Sequence, residues 1–468
     1  MSMGKWETEH QETLWVETQS LAVSPGHPFY ERVNALLATH GFDAIVAQLC
    51  ERFYAEVMGR PSVPPSVYFR MLFIGYFEGI DSERGIAWRT ADSMALRSFL
   101  GYSLTEGTPD HSSLSRARHR IDLETHQAVF DWMLGVLAKE GVLKGKTLGV
   151  DATTLEANAA LRSIVRRDTG ESYEEFLTRL AKASGIETPT REDLAKIDRN
   201  RPGKGSNKDW QHPHEPDARI TKMKDGRTHL AHKAEHAVDM ESGALVAVTL
   251  QGADRGDTAT LRQTAEQAKA SLEEAARDPQ ARSHLKPARE LVADKGYHSN
   301  DAVKNVQDTH HLTSYISEPK RRGRRNWKDN AEAQRAVYAN RRRVRGERGK
   351  QLLRLRGERV ERSFAHLYET GGMRRTHLRG HPNILKRLLI HAAGFNLSLI
   401  LRRAIGIGTP RRLQDFPEVL LWFIFMCRRS LQRIPRPSSA LSDDASDPTT
   451  IAYVDEFMFV KPSFATGC

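Results

Sequence analysis

The sequence predicts a helical N-terminal region followed by a mixed α/β sheet with helices packed on it. Two observations lead to this fold class. Up to about residue 140 the apolar stretches have helical length, and prolines or capping residues separate them. Between residues 147 and 319, short apolar runs alternate with helical patterns, which is typical of a sheet layer covered by helices.

The N-terminal region contains a helix that we expect to be buried on all sides. Three prolines between residues 61 and 65 interrupt the preceding helical pattern, because proline cannot continue a helix. The following segment, VYFRMLFIGYFEGI, is apolar nearly all round, which indicates burial. A further helix is predicted after it, with Asp81 or Ser82 as its N-cap and Gly101 at its end.

The segment TPDHSSLSRARHRID predicts a short basic helix. Thr108, Asp110 and Ser112 offer capping oxygens at its start. Such a helix could enter a DNA groove, or it could be an ordinary amphipathic helix with a basic, solvated face. The candidate DNA contacts on this helix are Arg116, Arg118 and Arg120.

Two apolar runs in the α/β region are each followed by an aspartate. In GKTLGVDATTLEAN, the predicted strand 147–150 ends at Asp151. In ARELVADKGYHS, the run 291–293 ends at Asp294, shortly before Gly296. About 140 residues separate the two aspartates, far more than a single β-α-β unit holds. A carboxylate at the end of a buried strand is either a cap or a group directed into a cleft.

The other α/β elements are predicted from their patterns. A helix at about 171–184 is followed by a long polar loop to about 226, and loops of this length are usually functional. Strands are predicted at 228–239 and 244–251, joined by a hairpin turn. A helix capped at Asp257 and a strand at 312–319 complete the sheet layer.

The two aspartates predict a metal-dependent site. Carboxylates held close together raise each other's pKa, so a protein that gathers them usually has a cation to neutralise them. Oxygen ligands without thiolates suit Mg²⁺ or Mn²⁺, and these ions support phosphoryl transfer. His229, His232 and His236 are not predicted to share one metal, because their spacing does not fit one face of a straight strand.

The helical segment KQLLRLRGERVERSFAHLYETGG offers candidates for a third carboxylate. Its predicted apolar face consists of four residues: Leu353, Val360, Phe364 and Leu367. At 100° per residue, Glu361 lies about 90° from the centre of this face and Glu358 about 150° from it. We therefore expect Glu361 to border the cleft and Glu358 to point to solvent. An ion pair with an arginine one turn away is the alternative role of Glu361.

Taken in order, these motifs resemble the DDE transposases of the IS4/IS5/IS1182-like insertion-sequence group, over most of residues 60–405. The motifs are PSVPPSVYFRMLF, SFLGY, TPDHSSLSRARHRI, GVDATTLEAN, ADKGYHS and RGERVERSFAHLYETGGMRRTHLRG. The resemblance implies an RNase H-like catalytic domain that cuts and joins DNA strands with Mg²⁺. It also implies that Asp151, Asp294 and Glu361 are the catalytic metal ligands.

The glutamate helix departs from the pattern of this group, which often shows Tyr-x2-Arg-x3-Glu-x6-Lys. Counted from Glu361, the tyrosine, arginine and lysine positions hold Arg354, Gly357 and Tyr368. Counted from Glu358, the arginine is present as Arg354, but the lysine position holds alanine. Arg354 is a candidate phosphate contact, and Glu358 stays the alternative to Glu361.

The chain carries a formal net charge of +11, and its positive charge is concentrated. Between residues 320 and 362 there are 17 Lys or Arg against 5 acids. This density suits a polyanion, and a solvated basic face is the alternative. The candidate DNA contacts in this stretch are Lys320, Arg321, Arg322, Arg341, Arg342, Arg343 and Arg354.

Together these features predict a DNA transposase that cuts one strand at each element end and joins the freed 3′-hydroxyl to target DNA. The expected partners are inverted terminal repeats and target DNA, bound by a homodimer across paired ends, as the resemblance implies. Two alternatives remain at this point. One is a metal-dependent nuclease that joins no strands, and the other is a catalytically silent DNA-binding repressor from a decayed element.

Three regions are predicted in the 468 residues. Residues 1–140 form a helical DNA-binding and dimerisation domain. Residues 141–405 form the catalytic domain with an insert at about 160–226, and residues 406–468 form a tail that its composition predicts to be partly disordered. Three scattered cysteines, no signal-peptide stretch and an apolar run (419–426) too short for a bilayer predict a cytoplasmic, nucleoid-associated protein without membrane contact.

Overall fold

The structure is a computed structural model, and it describes residues 26–55, 62–201, 205–223, 225–320, 327 and 330–413. The apolar run predicted at 419–426 and the predicted tail from residue 414 onward lie outside the described residues. The same holds for Arg321 and Arg322.

The described N-terminal region is helical, as predicted. Its helices are α1 (Pro28–Thr39), α2 (Phe42–Cys50), α3 (Pro65–Glu78), α4 (Glu83–Asp92), α5 (Met94–Phe99), α6 (His111–Arg120) and α7 (Leu123–Lys139). The helix predicted between Ser82 and Gly101 is two helices, α4 and α5. Ser93 separates them because its backbone is extended (φ −112°, ψ 113°) and its side chain caps α5 by accepting from the backbone N–H of Leu96.

Helix α3 is the buried centre of this region. Pro65 occupies its first turn, where a missing N–H leaves no hydrogen bond unmade. Every residue from 67 to 77 is buried, which confirms the interpretation of its all-round apolar sequence. Each large apolar side chain buried in this way contributes roughly 1.5–3 kcal/mol.

The remainder of the described chain builds a mixed sheet with helices on both faces. Its elements are β1 (Thr147–Glu156), β2 (Val165–Arg166), α8 (Tyr173–Ala183), α9 (Arg191–Asn200), β3 (Trp210–Gln211), β4 (Arg219–Lys222), β5 (Thr228–Asp239), β6 (Leu245–Gly252), α10 (Asp257–Ala275), α11 (Pro279–His284), β7 (Glu290–Ala293), α12 (Asn300–Asp308), β8 (Thr313–Ile316), α13 (Ala331–Arg345), α14 (Glu347–Phe364) and α15 (His381–Ile405).

The main sheet has the strand order β4-β5-β1-β7-β8, with β6 also paired to β5. Strand β5 is antiparallel to β1, β4 and β6, whereas β7 is parallel to both β1 and β8. This mixed sheet with flanking helices, preceded by a helical region, is the predicted RNase H-like fold class. Strand β1 is longer than predicted and continues past Asp151, because β5 extends the hydrogen-bond ladder to Glu156.

Buried asparagines cover both edges of the sheet. On β6, the backbone N–H and C=O of Leu245 pair with the Asn396 side chain of α15 at 2.9 and 2.8 Å. On β8, the N–H and C=O of Ile316 pair with the Asn340 side chain of α13 at 3.0 and 2.8 Å. Unpaired edge groups recruit other strands, so these helices protect the sheet from edge-to-edge association.

The insert between β1 and β4 contains more structure than predicted. The predicted helix is present as α8, but part of the predicted loop forms α9, which begins at a capping box of Thr190 and Asp193. Trp210 is buried and contacts the rings of Tyr173 and Phe176. The insert therefore has a small core of its own.

Helix α15 joins the sheet to the N-terminal helices, since it packs against α3, α7 and β6. The segment His381–Arg412 is long and apolar enough to cross a bilayer, but 89% of its most hydrophobic window is buried inside the protein. This burial is typical of a core helix. One hydrophobic core contains residues from both sides of position 140, from α1 to α15. The domain boundary near residue 140 therefore stays a prediction.

Asp131 on α7 gives the fold a pH-dependent stability. It is buried in a groove between α7 and α10, where Gln127 donates to its carboxylate at 2.9 Å, and burial raises its pKa to about 6. Since the folded chain holds this proton more tightly than the unfolded chain, stability falls as the pH rises from about 4 to 6 and stays lower above. Asp131→Asn is expected to increase the free energy of unfolding by about 1–3 kcal/mol at pH 7.5 and by less at pH 5.

Urea denaturation at the two pH values checks this expectation. The exposed Asp209→Asn is the matched control and should change neither value. An equal gain at both pH values for Asp131→Asn would contradict the assignment to a buried proton.

Candidate active site

Asp151 and Asp294 lie side by side. The parallel register of β1 and β7 pairs Val150 with Ala293, so the two aspartates are the next residues on neighbouring strands. Strand β7 ends there, and Asp294 begins the following turn. Both residues are partly exposed. The prediction that two distant motifs converge therefore agrees with the fold, although Asp151 lies within its strand and not at its end.

The aspartates face α14, while α10 covers the other face of the sheet. His236 is the cross-strand partner of Asp151 and meets Ser363 of α14 at 2.9 Å. The neighbouring Glu235 accepts a hydrogen bond from Thr260 of α10 at 2.9 Å. Because successive side chains on a strand point to opposite faces, Asp151 belongs to the α14 face.

The Asp151 carboxylate has two polar partners. Its Oδ1 accepts the Ala152 backbone N–H at 2.9 Å, and its Oδ2 accepts Nη1 of Arg356 at 2.7 Å. Burial raises the pKa of the Asp151 carboxyl above its usual range; Arg356 opposes this rise and Asp294 adds to it. The Arg356 guanidinium thus supplies one positive charge beside two carboxylates.

Asp294 begins a short turn that a buried network holds in place. Its Oδ1 accepts the Lys295 backbone N–H at 2.6 Å. Three residues on, Tyr297 is 1% exposed and donates its hydroxyl to Glu235 at 2.7 Å. Glu235 is fully buried and also accepts from Thr260 and Thr264. The turn carrying Asp294 is therefore anchored through the sheet to α10.

An ion pair between β5 and α10 extends this network. Lys233 donates to Asp257 at 2.7 Å and to Thr260 at 2.9 Å. Asp257 is the first residue of α10 and not its cap, because Gly256 takes the capping position. A Cβ at Gly296 would clash with Oδ2 of Asp257, so a larger residue there would displace this carboxylate.

The face that α14 buries against the sheet differs from the predicted one. Its buried residues are Gly349, Leu352, Val360 and Ser363. At 100° per residue, this face is centred about 50° from the predicted centre, so Glu361 lies about 140° away from it. The expectation that Glu361 borders the buried face is therefore wrong for this conformation. Both Glu358 and Glu361 are exposed, and Arg356 is the residue of α14 that reaches Asp151.

The two glutamates differ in their contacts. Glu358 pairs with Arg362 at 3.5 Å, whereas Glu361 makes no ion pair or hydrogen bond within the described ranges. Phe364 contacts the His236 ring, beside Asp151, while Arg359 lies against Gly243 at the opposite end of the sheet. Glu361 is about 60° from Phe364 and about 140° from Arg356, the residue that reaches Asp151, so its side chain points away from the two aspartates in this conformation.

The three histidines have separate partners. His232 contacts His381 at 3.0 Å, His236 contacts Ser363 and Tyr368, and His229 contacts Asp225. In the described part of the chain, no group of three or more His, Cys, Asp or Glu side chains is arranged to hold a metal ion. The oxygen donors that the fold brings together are those of Asp151 and Asp294.

Two protein families match separate parts of the chain. Residues 18–120 match the family described as Transposase domain (DUF772), and residues 207–397 match the Transposase DDE domain. The chain is an insertion-sequence DDE transposase. No curated protein and no solved structure matches it significantly. The DDE match covers Asp294 and Glu361 and begins after Asp151.

The family match has consequences for the chemistry. A DDE domain makes this chain a DNA-cleaving and DNA-transferring enzyme whose substrate is DNA. Transposases of this kind generally use divalent metal ions. Asp151 and Asp294 fit such an ion, because each has one carboxylate oxygen that no backbone N–H holds; in Asp151 this oxygen accepts Arg356.

The transposase uses some of the predicted DNA-binding arginines for internal contacts. Arg118 is 8% exposed and donates to Glu83 at 2.7 Å, so it is a core ion pair and not a DNA contact. Arg116 and Arg120 are exposed on the same helix, α6. Arg120 also lies over the Tyr54 ring and donates to Ser62 at 3.2 Å.

The basic stretch from residue 320 to 362 also contains both internally bonded and exposed cations. Arg341 makes a two-point contact with Glu318 at 2.9 and 3.1 Å, and Arg343 donates to Ser314 at 3.0 and 3.1 Å. Arg343 thus joins α13 to β8, and Arg341 joins α13 to the segment after β8, so both guanidinium groups are engaged within the chain. Five exposed cations remain among the described residues of the stretch with no side-chain hydrogen bond or ion pair: Lys320, Arg335, Arg342, Arg345 and Arg354.

Sequence reasoning missed three residues of this site: Arg356, Glu235 and Tyr297. Arg356 sits among many arginines, and the spacing 356, 360, 363 could have indicated a second helical stripe. Tyr297 follows Asp294 by three residues in the sequence. No local pattern connects it to Glu235, since their contact depends on the pairing of strands far apart in sequence.

Proposed function

We propose that this transposase cuts one DNA strand at each element end and joins the freed 3′-hydroxyl to target DNA, using Asp151, Asp294 and Glu361. The supporting observation is the register of β1 and β7, which sets two partly exposed aspartates next to each other. A Mg²⁺ or Mn²⁺ ion held by these carboxylates would activate the attacking oxygen and stabilise the leaving oxygen.

The protein's own part in this chemistry is to hold the carboxylates in a fixed orientation. The Ala152 and Lys295 backbone N–H groups each fix one oxygen of an aspartate. The Tyr297–Glu235 contact prevents the Asp294 turn from moving away from β1. Preorganisation of this kind matters because small misplacements of catalytic groups cost large factors in rate.

DNA reaches the site along exposed arginines on either side of it. Arg342 and Arg345 lie on α13, and Arg354 lies on α14, which carries Arg356 to Asp151. Arg116 and Arg120 on α6 add a basic surface to the N-terminal region. We assign the terminal repeats and target DNA to these surfaces, with two copies of the chain acting on paired ends in the cytoplasm, at the nucleoid.

An end-joining assay tests the function. Linear duplexes that carry the DNA flanking the gene are incubated with the full chain, Mg²⁺ and a supercoiled plasmid. We expect nicks at the element boundary and covalent joints between the element end and the plasmid. Nicks without joints would make the protein a nuclease. Binding without cleavage in both Mg²⁺ and Mn²⁺ would make it a DNA-binding protein only.

The salt dependence of DNA affinity tests the corrected basic surface. Each phosphate contact adds about 0.9 to the slope of log affinity against log salt. The double variant Arg342→Gln/Arg345→Gln is therefore expected to lower this slope by about 2. Fluorescence anisotropy of a labelled duplex at several salt concentrations provides the measurement.

A charge-matched control accompanies it. Arg262 on α10 and Arg277 just after its C-terminus are exposed, on the other face of the sheet, and each pairs with a glutamate of α10. Arg262→Gln/Arg277→Gln should leave the slope unchanged. If both double variants lower the slope equally, net charge and not the α13 surface determines the affinity.

A further inference from the structure

Arg356 differs from the surface arginines because its side chain is largely buried and contacts a proposed metal ligand. Its side chain is 13% exposed, and its Nη1 lies 2.7 Å from Oδ2 of Asp151. Helix α14 approaches β1 closely at Gly149, where an added Cβ would lie 3.4 Å from both Arg356 Cγ and Val360 Cγ2. The close crossing directs Arg356 along the helix face to the carboxylate pair.

The guanidinium has donors that this contact leaves unused. Its Nε is buried and has no hydrogen-bond partner within the described residues, while one of its five N–H groups meets Asp151. An unpaired buried donor costs stability, so the position is unfavourable unless a second partner arrives. The planar fork of arginine fits the two oxygens of a phosphate group.

The positive charge at the two aspartates determines whether Arg356 can bind a second partner. Without a metal ion, Arg356 supplies the cation that stabilises Asp151 beside Asp294. A divalent cation on the same carboxylates would supply more positive charge at the same place and repel the guanidinium. The released guanidinium would then have no carboxylate partner, and a DNA phosphate carries the charge and the oxygens it needs.

We infer that Arg356 alternates between two partners: Asp151 in the metal-free enzyme, and a phosphodiester oxygen of the DNA when a divalent cation takes Asp151. This inference rests on the proposed function. Metal and Arg356 compete for one carboxylate oxygen, so the metal-free site is held closed until the cation enters. Metal and DNA in turn strengthen each other's binding, because each is favoured by the same displacement of Arg356.

Metal titration without DNA tests the competition. Mn²⁺ affinity is measured by isothermal titration calorimetry on the full chain. Arg356→Gln is expected to bind Mn²⁺ about tenfold tighter than the wild type, a factor within the usual range of coupling between sites. Arg362→Gln removes the same charge from the same helix, where the side chain pairs with Glu358, and should bind Mn²⁺ like the wild type.

DNA binding tests the second partner. With a duplex carrying the flanking DNA, Ca²⁺ is expected to raise the affinity of the wild type about tenfold and that of Arg356→Gln less than twofold. Arg356→Lys keeps the charge without the fork. It should keep the weak, wild-type Mn²⁺ affinity and lose most of the Ca²⁺ effect on DNA. It also provides the test if Arg356→Gln does not fold.

The outcomes separate this inference from the proposed function. Asp151→Asn should abolish Mn²⁺ binding. If this variant binds Mn²⁺ like the wild type, Asp151 is not a metal ligand and the proposed metal site is wrong. If Asp151→Asn loses binding while Arg356→Gln binds Mn²⁺ no tighter than the wild type, Arg356 is only a structural ion pair. An undiminished Ca²⁺ effect on DNA affinity in Arg356→Gln would exclude the phosphate contact.

Discussion

Asp151→Asn and Asp294→Asn are each expected to reduce metal-dependent strand cleavage by about 10³-fold or more, while DNA binding stays close to wild type. Removing groups that only support metal ligands already costs 10- to 100-fold, so loss of a ligand should cost more. Asparagine preserves the size of the side chain and an oxygen acceptor for the backbone N–H, which limits the structural effect. Cleavage of a labelled duplex is measured at saturating protein.

The two variants should remain folded, which provides an internal check. Asp151→Asn loses the ion pair with Arg356, whose side chain is 13% exposed, but it also removes a carboxylate whose pKa is raised by burial. These two effects on the free energy of unfolding oppose each other, so the change should stay within about 1–2 kcal/mol. Asp294→Asn loses no such ion pair. The control Asp168→Asn changes an exposed residue that pairs with Arg166 and accepts the Thr169 backbone N–H, and it should cut at the wild-type rate. Normal cleavage by either site variant would exclude that aspartate from catalysis.

Glu361→Gln is expected to lower cleavage by about 10²-fold or more, whereas Glu358→Gln should stay within about twofold of wild type. Both side chains are exposed, so neither change should alter stability by more than about 0.5 kcal/mol. The reason for choosing Glu361 is the family resemblance, together with a side chain that makes no ion pair in the described part of the chain. Glu358 is already committed to Arg362.

This expectation includes a movement of α14. Glu361 is about 140° from the buried face, so it reaches the aspartates only if α14 turns or the active site closes around DNA. A π-helical segment, Ala365–Thr370, follows α14, and such segments often mark places where a helix changes register at functional sites. If Glu358→Gln is inactive and Glu361→Gln cuts normally, the third carboxylate is Glu358.

The chemical motifs could be recognised from the sequence because each is local. The runs 147–150 and 291–293 are apolar and end at acids, and these properties depend on neighbouring residues only. The prediction that Asp151 and Asp294 share a site needed only the assumption that their strands are adjacent. The register of β1 and β7 places them as expected.

The partners of charged side chains could not be predicted in this way. Arg118, Arg341 and Arg343 look like their exposed neighbours in the sequence, but each makes a contact across the fold. The helical stripe of α14 was also ambiguous, because arginine stems and leucines both fit its pattern. The observed buried face of α14 is centred about 50° from the predicted one. As a result, Arg356 lies beside Asp151, where Glu361 was predicted.

The sequence by itself determined the fold class, the order of the main elements, the two aspartates and the family resemblance. These depend on local apolar periodicity, capping and short motifs, which are written in consecutive residues. Only the tertiary structure decided that Arg356 meets Asp151, that Glu235 and Tyr297 anchor the Asp294 turn, and which arginines stay exposed. Those contacts join residues 62 to 205 positions apart, and they exist because strand register and helix phase, set by the whole core, bring the side chains together.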